Sequence, residues 1–417
     1  MPKDNPLTIV IFGATGDLYG DKLAKALFIF FKEGKLPTDF KIIAFARRDF
    51  IHHTFRSHTS EKITKRDNID HSNLDKFLEH IEYFKGDFFN QDDYKRLYDE
   101  LSLQKDRSII FHIATPYFAY KDIFQHIKDA RLNLMNKPPK ILIEKPFGES
   151  EQDAKSLHSL LHSIFDENNV FHVDHYLAKE NSRGILEYRH KDTALQNIWN
   201  GDHIEKIKIA FHESNLVGTR GASYDKVGAF RDVGENHMLQ LLALVAMKIP
   251  RELNPNDIRL SRTNALSDLY IDDRGKITKG QYEGYKSEPG VSPESNTETF
   301  FRVFLKSKDP NFSNVSIELE GGKGLIDMKS SITSTTVSVW VYFKDGTTKE
   351  FKIQPVVGTE YNSYTQVYVD AIRGDQSLFV TIDEIIVELR LARELFLKWT
   401  DVPLIIYNKG TKPEDIK

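Results

Sequence analysis

The stretch TIVIFGATGDLYGDKLAKALFIFFK, residues 8–32, decides the fold of the first half of the chain. It opens with a continuous apolar run that is typical of a buried strand, and residues 21–32 have the spacing of a helix that ends before Gly34. Between strand and helix lies the turn GATGDL, residues 13–18. A glycine turn in this place predicts a nucleotide site, because the helix amino terminus presents N–H groups to a pyrophosphate.

The GATGDL turn predicts dinucleotide contacts through its backbone. Gly13 permits a tight turn and Gly16 lets the backbone approach a pyrophosphate, although the third glycine of the usual pattern is not in its register. The prediction therefore rests on the position of the turn between the first strand and the first helix. We assign cofactor contacts to every residue of the turn, namely Gly13, Ala14, Thr15, Gly16, Asp17 and Leu18.

Short apolar runs continue along the first part of the chain. KIIAFA (41–46), SIIFHIA (108–114) and KILIE (140–144) predict further buried strands, and residues 117–132 have the pattern of a helix. Strands that alternate with helices indicate a parallel, doubly wound sheet. We therefore predict an α/β Rossmann domain over residues 1–172.

The pattern changes in the second part of the chain. Residues 203–214 and 335–343 alternate apolar with polar side chains, and the second of these segments runs into an Asp345-Gly346 hairpin signal. Such alternation indicates antiparallel strands with one solvated face. We predict that residues 173–417 form an α+β domain with a large, mainly antiparallel sheet.

The composition limits the possible classes of function. A chain of 417 residues is long enough for two domains, and a net charge of -4 gives no basic surface for nucleic acid. Cysteine is absent, which excludes disulfides and thiolate metal sites and fits a cytoplasmic protein. No signal-peptide pattern and no apolar run of membrane-spanning length occurs, so we assign no membrane partner and no metal site. The one notable loop-like segment is SEPGVSPESNTE, residues 287–298.

The end of the second predicted strand bears on the choice of cofactor. An NAD-preferring enzyme usually carries an acid there for the ribose 2′-hydroxyl, whereas this chain has Ala46-Arg47-Arg48. A guanidinium group can bind a 2′-phosphate through two hydrogen bonds. We therefore predict NADP as the cofactor, bound by Arg47, and interpret Arg48 as a solvated residue.

The segment VDHYLAKEN, residues 173–181, holds several polar side chains in a short space. If it is helical, His175 and Lys179 lie four residues apart on one face, and Asp174 points roughly a quarter-turn away. Two cations on one face can bind one anion. A solvated helix start explains the same charges, so this pattern alone leaves both interpretations open.

Three further segments resemble a known family when they are placed beside GATGDL. They are EKPFG (144–148), VDHYLAKE (173–180) and FRDVGENHMLQLLALVAM (230–247). In this order the segments resemble GASGDL, EKPFG, RIDHYLGKE and RDVMQNHLLQ of the glucose-6-phosphate dehydrogenase family. The resemblance implies NADP-dependent oxidation of glucose 6-phosphate at C1 to 6-phosphogluconolactone, the entry step of the oxidative pentose phosphate pathway. It also implies a homodimer or a dimer of dimers that assembles through the large sheet.

The resemblance also implies the roles of individual residues. His237 is the general base for the C1 hydroxyl, and the carboxylate of Asp174 fixes its tautomer. Histidine suits this role because its pKa lies near the working pH. Lys145 contacts both substrate and cofactor, its bond to Pro146 is cis, and Tyr120 lies near the nicotinamide. The remaining substrate contacts are assigned to His175, Tyr176, Lys179, Glu213, Asp232 and Lys323.

Three of the residues matched to the family have structural alternatives. Asp232 and Glu235 precede an apolar helix and match a capping box, so Asp232 can cap a helix as well as bind a sugar. Lys22, which matches a lysine that reaches the active site, equally fits an exposed lysine in a first helical turn. Tyr120 also fits the apolar face of its helix.

The chain departs from the family at three points. His172 stands where the family generally has arginine, which lowers the fixed positive charge near the phosphate. Residues 326–329, Ile-Asp-Met-Lys, replace an N-E-R-K run, so an arginine expected to help hold the substrate is missing at Met328. Glu320 occupies the position of an arginine of a second, structural NADP site in animal enzymes, and we therefore expect that site to be absent.

Two other functions compete with this interpretation. A dehydrogenase of the Gfo/Idh/MocA type, which acts on an unphosphorylated sugar, shares the domain layout and the EKP segment. A catalytically inactive nucleotide-binding homologue keeps the fold alone, but it has no physical need for a base, an orienting acid and a bridging lysine together. The pairing of His175 with Lys179 and the segment 230–247 favour the sugar phosphate.

Overall fold

The computed structural model describes residues 5–65, 72–103, 106–325, 335–353 and 363–417. In chain order the strands are β1 (Leu7–Phe12), β2 (Phe40–Ala46), β3 (Ile81–Lys85), β4 (Ser108–Ile113), β5 (Lys140–Ile143), β6 (Val170–His172), β7 (Ile204–Glu213), β8 (Leu269–Ile271), β9 (Thr278–Tyr282), β10 (Phe300–Ser307), β11 (Ser316–Gly322), β12 (Thr335–Phe343), β13 (Thr348–Lys352) and β14 (Leu404–Tyr407).

The helices alternate with these strands in the first half of the chain and are interspersed among them in the second. The α-helices are α1 (Ala24–Lys32), α2 (His52–Thr64), α3 (Leu74–Glu79), α4 (Gln91–Ser102), α5 (Tyr120–Asp129), α6 (Glu151–His162), α7 (Glu180–Lys191), α8 (Thr193–Ile198), α9 (Gly221–Tyr224), α10 (Leu239–Ala246), α11 (Pro255–Ser267), α12 (Ser363–Arg373) and α13 (Ile382–Trp399). Tyr19–Leu23 and Phe230–Met238 are π-helical and run directly into α1 and α10. No helix in the ranges given above is both long enough and apolar enough to cross a membrane.

The chain forms two compact units. The first comprises the described parts of Met1–Ala178 and Pro355–Ile382, and the second comprises those of Lys179–Gln354 and Asp383–Lys417. The sequence pattern predicts a single change of domain, after residue 172. In the structure the change falls after Ala178, and the chain later returns to the first unit, which the sequence analysis did not anticipate.

The first unit is built on a parallel sheet of order β3-β2-β1-β4-β5-β6. Because successive residues of a strand point to opposite faces, Ile9 and Ile11 of β1 pack in one apolar layer, and Val10 and Phe12 pack in another. Helix α1 contributes to the first layer and α5 to the second. This arrangement confirms the predicted doubly wound α/β fold.

Helix α12 belongs to the first unit although it follows most of the second unit in sequence. Its Val367, Tyr368 and Ala371 are buried in the same apolar layer as α1. The Thr365 hydroxyl donates to the carbonyl oxygen of Ala26 at 3.2 Å. The spacing of these apolar residues makes one helix face, and that face packs in the apolar layer of the first sheet.

The second unit is built on an eight-stranded sheet of order β13-β12-β7-β11-β10-β9-β14, with β8 paired to β10. The pairs β7–β11 and β9–β14 are parallel, and the other pairs are antiparallel. The predicted large, mainly antiparallel sheet is therefore confirmed. The β12–β13 hairpin turns at Asp345-Gly346, where Gly346 has φ +86° and its N–H donates to the carbonyl oxygen of Phe343 at 3.0 Å.

The segment after β6 is a turn and not a helix. Residues 175–178 form the turn, Lys179 is extended with φ -68° and ψ 141°, and α7 begins only at Glu180. The prediction that His175 and Lys179 lie on one helix face is therefore wrong. The cause is local, since the side chain of Asp174 binds the backbone of the turn in place of helical hydrogen bonds.

Candidate active site

The GATGDL turn has a shape that requires glycine at its first position. Gly13 has φ +90°, and a Cβ added there would lie 2.3 Å from the carbonyl oxygen of Ala114. Its N–H donates to the carbonyl oxygen of Phe45 at 2.9 Å, and the Gly16 N–H donates to the carbonyl oxygen of Gly13 at 2.9 Å. The turn is thereby held between the carboxyl ends of β2 and β4.

The helix begins at Asp17, within GATGDL, and is π-helical from Tyr19 to Leu23. Gly16 and Asp17 are exposed, whereas Ala14 is fully buried. The first turn of a helix carries N–H groups without intrahelical partners and the positive end of the helix dipole. The exposed backbone at Gly16 and the adjoining helix start therefore fit the pyrophosphate of a dinucleotide.

Arg47 and Arg48 follow β2, the strand beside β1, and both are exposed. They lie at the carboxyl edge of the sheet, where doubly wound folds bind their ligands. The Tyr83 hydroxyl donates to the carbonyl oxygens of Ala46, at 2.9 Å, and of Arg48, and so fixes the backbone of this segment. Tyr83 was missed by the sequence analysis because no local spacing links it to residues so distant in sequence.

A cavity of about 640 Å³ lies elsewhere in the first unit. Leu7, Ser108 and Lys140, the first residues of β1, β4 and β5, are among the residues that line it. It therefore lies at the amino ends of the strands. Parallel sheets bind their ligands at the carboxyl ends, so we assign the cofactor to the glycine turn and not to this cavity.

Lys145 follows β5, and its bond to Pro146 is cis, as the resemblance implied. Tyr120, at the start of α5, is fully buried, and its hydroxyl donates to the carbonyl oxygen of Glu144 at 2.5 Å. Burial raises the pKa of Tyr120 well above its usual value, so the phenol stays protonated. Tyr120 thus has a structural task beside Lys145, and no exposed surface of its side chain supports the predicted contact with the nicotinamide.

A buried chain of hydrogen bonds, also missed by the sequence analysis, lies beside Lys145. Nε2 of His112 lies 2.9 Å from Oε1 of Glu144, and Nδ1 of His112 lies 2.8 Å from the hydroxyl of Tyr368. The Tyr364 hydroxyl donates to Oε2 of Glu144 at 3.0 Å. Buried polar groups require such partners, and these bonds join α12 to β4 and to Glu144, the residue after β5. The only available signal in the sequence is the spacing of the two tyrosines, which stand four residues apart.

Asp174 closes the turn that precedes α7 and is 4% exposed. Its Oδ1 accepts the N–H groups of Tyr176 at 2.7 Å and Leu177 at 3.3 Å, and its carbonyl oxygen accepts the N–H of Ala178 at 3.3 Å. An aspartate that binds the backbone two residues on forms an Asx-turn. The carboxylate is therefore fixed in orientation, as the role of an orienting acid requires.

His175 packs between aromatic rings of the first unit. Its ring stacks on Tyr364 with centroids 5.8 Å apart and an interplanar angle of 11°, and it lies 4.8 Å from the ring of Tyr176. Tyr364 is the residue that also binds Glu144. The position of His175 therefore depends on the buried chain of hydrogen bonds.

Lys179 opens the second unit. Its Nζ donates to the carbonyl oxygen of Ile353 at 3.4 Å, and the Asn181 amide donates to the carbonyl oxygen of Lys352 at 2.7 Å. These bonds connect the start of α7 with the end of β13. The joint binding of one phosphate by His175 and Lys179 stays a prediction.

The second unit brings together three predicted substrate residues from distant parts of the chain. Glu213 ends β7 and Lys323 follows β11, and the parallel pairing of these strands sets the two residues side by side. Nζ of Lys323 donates to Oε2 of Glu213 and lies 3.3 Å from Oδ2 of Asp232. Nη2 of Arg220 lies 3.8 Å from the same oxygen of Asp232. We refer to Glu213, Asp232 and Lys323 as the carboxylate–lysine cluster.

The carboxylate–lysine cluster has the chemistry of a sugar site. The side chains of Glu213 and Asp232 are 18% and 24% exposed, whereas that of Lys323 is 4% exposed. Ionised carboxylates accept hydrogen bonds from hydroxyl groups, and the buried lysine holds both of them in place. The cluster can therefore bind several hydroxyl groups of one polyol.

His237 and Asp232 lie on the π-helical segment Phe230–Met238. The Asn236 amide donates to the carbonyl oxygen of Arg231 at 2.9 Å, and its Oδ1 accepts the N–H of His237 at 2.8 Å. His237 is 2% exposed. Segments of π-helix are rare and frequently mark functional sites, and the other one among the described residues directly follows GATGDL.

The predicted capping box of Asp232 and Glu235 is wrong. The helix begins at Gly228, so both residues lie inside it. The cap comes from another segment, since the Phe230 N–H donates to Oε1 of Glu298 at 2.9 Å. No pattern near Asp232 could have pointed to Glu298.

His172, one of the departures from the family, is buried at the end of β6. Its ring lies 5.0 Å from that of Phe147 at an angle of 74°. Residues 326–329, which include Met328, lie outside the described residues. Lys22 is exposed in the π-helical segment that follows the glycine turn.

Glu320, the third departure, lies at the centre of an ion-pair network on the large sheet. Its carboxylate is 2.9 Å from Lys208, 3.1 Å from His212 and 2.5 Å from Arg302. Burial alone raises the pKa of a carboxyl group, but the hydrogen bond from His212 and the charges of Lys208 and Arg302 lower the pKa of Glu320 below its usual value. Glu320 is therefore ionised and fully occupied by cations of its own chain.

Most of the sequence matches two family models. Residues 10–183 match the NAD binding domain of glucose-6-phosphate dehydrogenase, and residues 186–355 match its C-terminal domain. A glucose-6-phosphate 1-dehydrogenase from Borreliella burgdorferi is 31% identical over 98% of this chain and 95% of that protein. The protein named glucose-6-phosphate 1-dehydrogenase 6, cytoplasmic, from Arabidopsis thaliana is 29% identical over 95% of this chain and 86% of that protein.

The fold is also shared with a solved structure. A glucose-6-phosphate dehydrogenase in complex with its substrate glucose 6-phosphate is similar to this chain with a TM-score of 0.86 and 27% identity. The match covers 98% of this chain and 95% of that one. The likeness therefore extends over both units.

Proposed function

Since the chain belongs to the glucose-6-phosphate dehydrogenase family, we propose that it oxidises glucose 6-phosphate at C1 to 6-phosphogluconolactone with NADP as the cofactor. This reaction is the entry step of the oxidative pentose phosphate pathway. The observation that carries the proposal is the carboxylate–lysine cluster, in which Lys323 contacts both Glu213, 110 residues away in sequence, and Asp232. Such an arrangement suits a polyhydroxylated substrate.

His237 acts as the general base in this proposal. Its neutral imidazole removes the proton of the C1 hydroxyl while C1 loses a hydride, so the sugar is oxidised by two electrons to the lactone. When bound, the nicotinamide accepts that hydride. An imidazole with a pKa of roughly 6.5 needs little tuning for this role near neutral pH. We assign to Asp174 the fixing of the tautomer and the stabilisation of the imidazolium that forms.

The substrate contacts divide between hydroxyl and phosphate groups. Glu213 and Asp232 accept hydrogen bonds from the sugar hydroxyls. The positive charge of Lys323 offsets the repulsion between the two carboxylates. We assign the phosphate to the residues after Asp174, namely His175, Tyr176 and Lys179. Lys145 serves both the substrate and the cofactor.

The cofactor contacts fall at the carboxyl edge of the parallel sheet. The exposed backbone of GATGDL and the helix start at Asp17 fit the pyrophosphate. Arg47 is exposed beside this turn and offers a planar pair of donors to a 2′-phosphate. We therefore propose NADP in preference to NAD.

We further propose a homodimer, or a dimer of dimers, assembled through the sheet of the second unit, and a cytoplasmic location. The family resemblance supports the assembly. The absence of cysteine suits a reducing compartment, and the Arabidopsis thaliana relative is named as cytoplasmic. Light scattering that returns the mass of a single chain would contradict the proposed dimer.

The test of the function compares kcat/KM for glucose 6-phosphate and for glucose, with NADP and with NAD, in the wild type and in Lys179→Ala. Removing one charge-assisted hydrogen bond to the phosphate is expected to raise KM for the 6-phosphate roughly ten- to a hundredfold. Activity on free glucose should hardly change, because glucose has no phosphate for Lys179 to bind. The matched control is Lys191→Ala, which removes an exposed lysine at the other end of α7.

The outcomes separate the competing functions. If the wild type prefers free glucose, the chain is a dehydrogenase of an unphosphorylated sugar. If the wild type prefers the 6-phosphate and that preference does not fall in Lys179→Ala, Lys179 does not bind the phosphate. If the chain binds NADP and turns over neither sugar, it is a catalytically inactive homologue.

A further inference from the structure

The 287–298 loop packs tightly on residues 221–230, which lead into the π-helical segment of the second unit. A Cβ added to Gly221 would lie 2.3 Å from the carbonyl oxygen of Pro289. A Cβ added to Gly290 would lie 2.7 Å from the side chain of the residue after Gly221. The two segments therefore touch through their backbones, without room for side chains between them.

Asp225 binds the loop through its carboxylate. Its Oδ1 accepts the hydroxyl groups of Ser295 at 2.5 Å and Tyr285 at 2.9 Å, and its Oδ2 accepts the N–H of Ser292 at 3.2 Å. The Thr297 hydroxyl donates to the carbonyl oxygen of Asp225 at 2.6 Å. Burial alone raises the pKa of a carboxyl group, but these hydrogen bonds lower the pKa of Asp225, so it stays ionised at neutral pH.

Glu298, the last residue of the loop, joins it to the start of the helix. Its Oε1 accepts the N–H of Phe230 at 2.9 Å, and its carbonyl oxygen accepts the N–H of Ala229 at 3.0 Å. A Cβ added to Gly228, which has φ +75°, would lie 2.4 Å from the carboxylate of Glu298. Glu298 is 8% exposed. It thus takes the capping position that the sequence analysis had given to Asp232.

We propose that Glu298 is a positioning residue for the reaction, whose carboxylate fixes the start of the helix on which Asp232 and His237 lie. The proposal rests on His237 as the general base of the proposed function. A negative charge at a helix amino terminus interacts favourably with the N–H groups and with the helix dipole. A shift of about 1 Å in the placement of catalytic groups lowers rates by about a hundredfold, so holding this helix still matters for turnover.

Glu298 titrates in the working range of the enzyme. Burial raises its pKa to about 7, and the backbone hydrogen bonds and the charges of Lys279 and Arg231 offset the effect of burial only in part. Two phenols, Tyr224 and Tyr285, also lie within reach of its charge, and they stay neutral because burial raises their pKa values far above neutral. The charged cap is therefore lost progressively as the pH falls below about 7.

The raised pKa of Glu298 also makes the stability of the folded protein depend on pH, in the direction opposite to its effect on the cap. The pKa of Glu298 in the folded protein lies above its ordinary value of 4.5, so the folded state binds this proton more tightly than the unfolded chain does. The stability that Glu298 contributes is complete below pH 4.5 and is lost as the pH rises to about 7. Acid pH therefore increases the contribution of Glu298 to the free energy of unfolding, although protonation removes the negative charge that caps the helix.

The test follows log(kcat/KM) for glucose 6-phosphate against pH in the wild type and in Glu298→Gln. Glutamine keeps the shape and can accept the Phe230 N–H, but it does not titrate. Between about pH 8 and about pH 5 the wild-type kcat/KM should fall about tenfold more than that of Glu298→Gln, because protonation of Glu298 weakens the cap only in the wild type, whereas protonation of His237 lowers the rate in both. The matched control is Glu294→Gln, the same substitution at an exposed position of the loop, which should keep the wild-type pH profile.

Two results overturn the proposal. One is an equal fall of kcat/KM from about pH 8 to about pH 5 in the wild type and in Glu298→Gln. The other is wild-type kcat/KM in Glu298→Ala at about pH 8, since loss of this buried hydrogen bond is expected to lower kcat/KM about tenfold with the Kd for NADP unchanged. His237→Asn separates the two levels of inference. If that variant remains active, the proposed base is at fault, and if it is inactive while the Glu298 variants behave as wild type, only the positioning role fails.

Discussion

The glycine turn of the first unit and the carboxylate–lysine cluster of the second are built in different ways. The turn takes its residues from consecutive positions, and its shape follows from one glycine at φ +90° and the helix that comes next. The cluster forms because β7 and β11 pair in parallel and set Glu213 beside Lys323. A site of the first kind can be predicted from spacing along the chain, whereas a site of the second kind depends on sheet register.

The two regions also differ in what a substitution removes. In the turn the binding groups are backbone N–H groups, which most side-chain changes leave in place. In the cluster the groups are charged side chains that hold one another, so removing one deprives the others of an oppositely charged neighbour. Substitutions in the second unit are therefore expected to have larger effects than substitutions in the first.

His237→Asn should have the largest effect, because it removes the proposed proton acceptor of the reaction, which lies in the second unit. We expect kcat to fall about 10²- to 10⁴-fold, the usual range for a general base, with the Kd for NADP unchanged. Steady-state kinetics and fluorescence titration measure the two quantities. His203→Asn, an exposed histidine of the same unit, is the control. A tenth of the wild-type kcat in His237→Asn would falsify the assignment.

Lys323→Met should lower both activity and stability. It leaves Glu213 and Asp232 facing each other without the lysine, and we expect kcat/KM to fall about a hundredfold. The free energy of unfolding should fall by about 2 kcal/mol, less than for a fully buried pair because both carboxylates are partly exposed. Denaturant unfolding measures this, with the exposed Lys226→Met as control. If adding Glu213→Gln restores none of the lost stability, charge repulsion in the cluster is not the cause.

Arg47→Ala tests whether the side chain of Arg47, in the first unit, binds the 2′-phosphate of the cofactor. Loss of the guanidinium should raise the Kd for NADP roughly ten- to a hundredfold and leave the Kd for NAD nearly unchanged, because only NADP carries a 2′-phosphate. Calorimetric titration with both cofactors measures the difference, and Arg48→Ala serves as the neighbouring control. Equal weakening for NADP and NAD would show that Arg47 does not bind that phosphate.

Tyr368→Phe should have the smallest effect on catalysis, because it acts on the buried chain of hydrogen bonds beside Lys145. It leaves Nδ1 of His112 without its partner, and we expect the free energy of unfolding to fall by about 1–3 kcal/mol. Chemical denaturation measures the loss against Tyr270→Phe, a tyrosine at the surface that is 37% exposed. Unchanged stability of Tyr368→Phe would mean that another group satisfies His112.

The two incorrect local predictions, at the segment after Asp174 and at Asp232, share a physical origin. A shared helix face for His175 and Lys179 was expected from their spacing of four residues, but the carboxylate of Asp174 binds the N–H groups of the turn and replaces the helical bonds. Asp232 was predicted to cap a helix that in fact starts earlier, at Gly228. In both cases the residue types fitted the expected pattern, but a hydrogen bond between a side chain and the backbone decided the local structure.

The sequence by itself determined the features that depend on neighbours along the chain. The buried strands, the glycine turn at Gly13 and the arginine after β2 follow from apolar runs, from backbone sterics and from charge, all of which are local. The order of the family segments along the chain indicated the chemistry that we assign to His237 and Asp174.

Only the tertiary structure decided which distant side chains meet. The return of α12 to the first sheet, the bonds of Glu144 to His112 and Tyr364, and the cap that Glu298 places on the helix of His237 all join residues far apart in sequence. Contacts of this kind arise from strand register and from the burial of apolar faces, and neither leaves a fixed spacing in the chain. The sequence therefore pointed to the groups that we propose for the reaction, and the fold determined which side chains surround them.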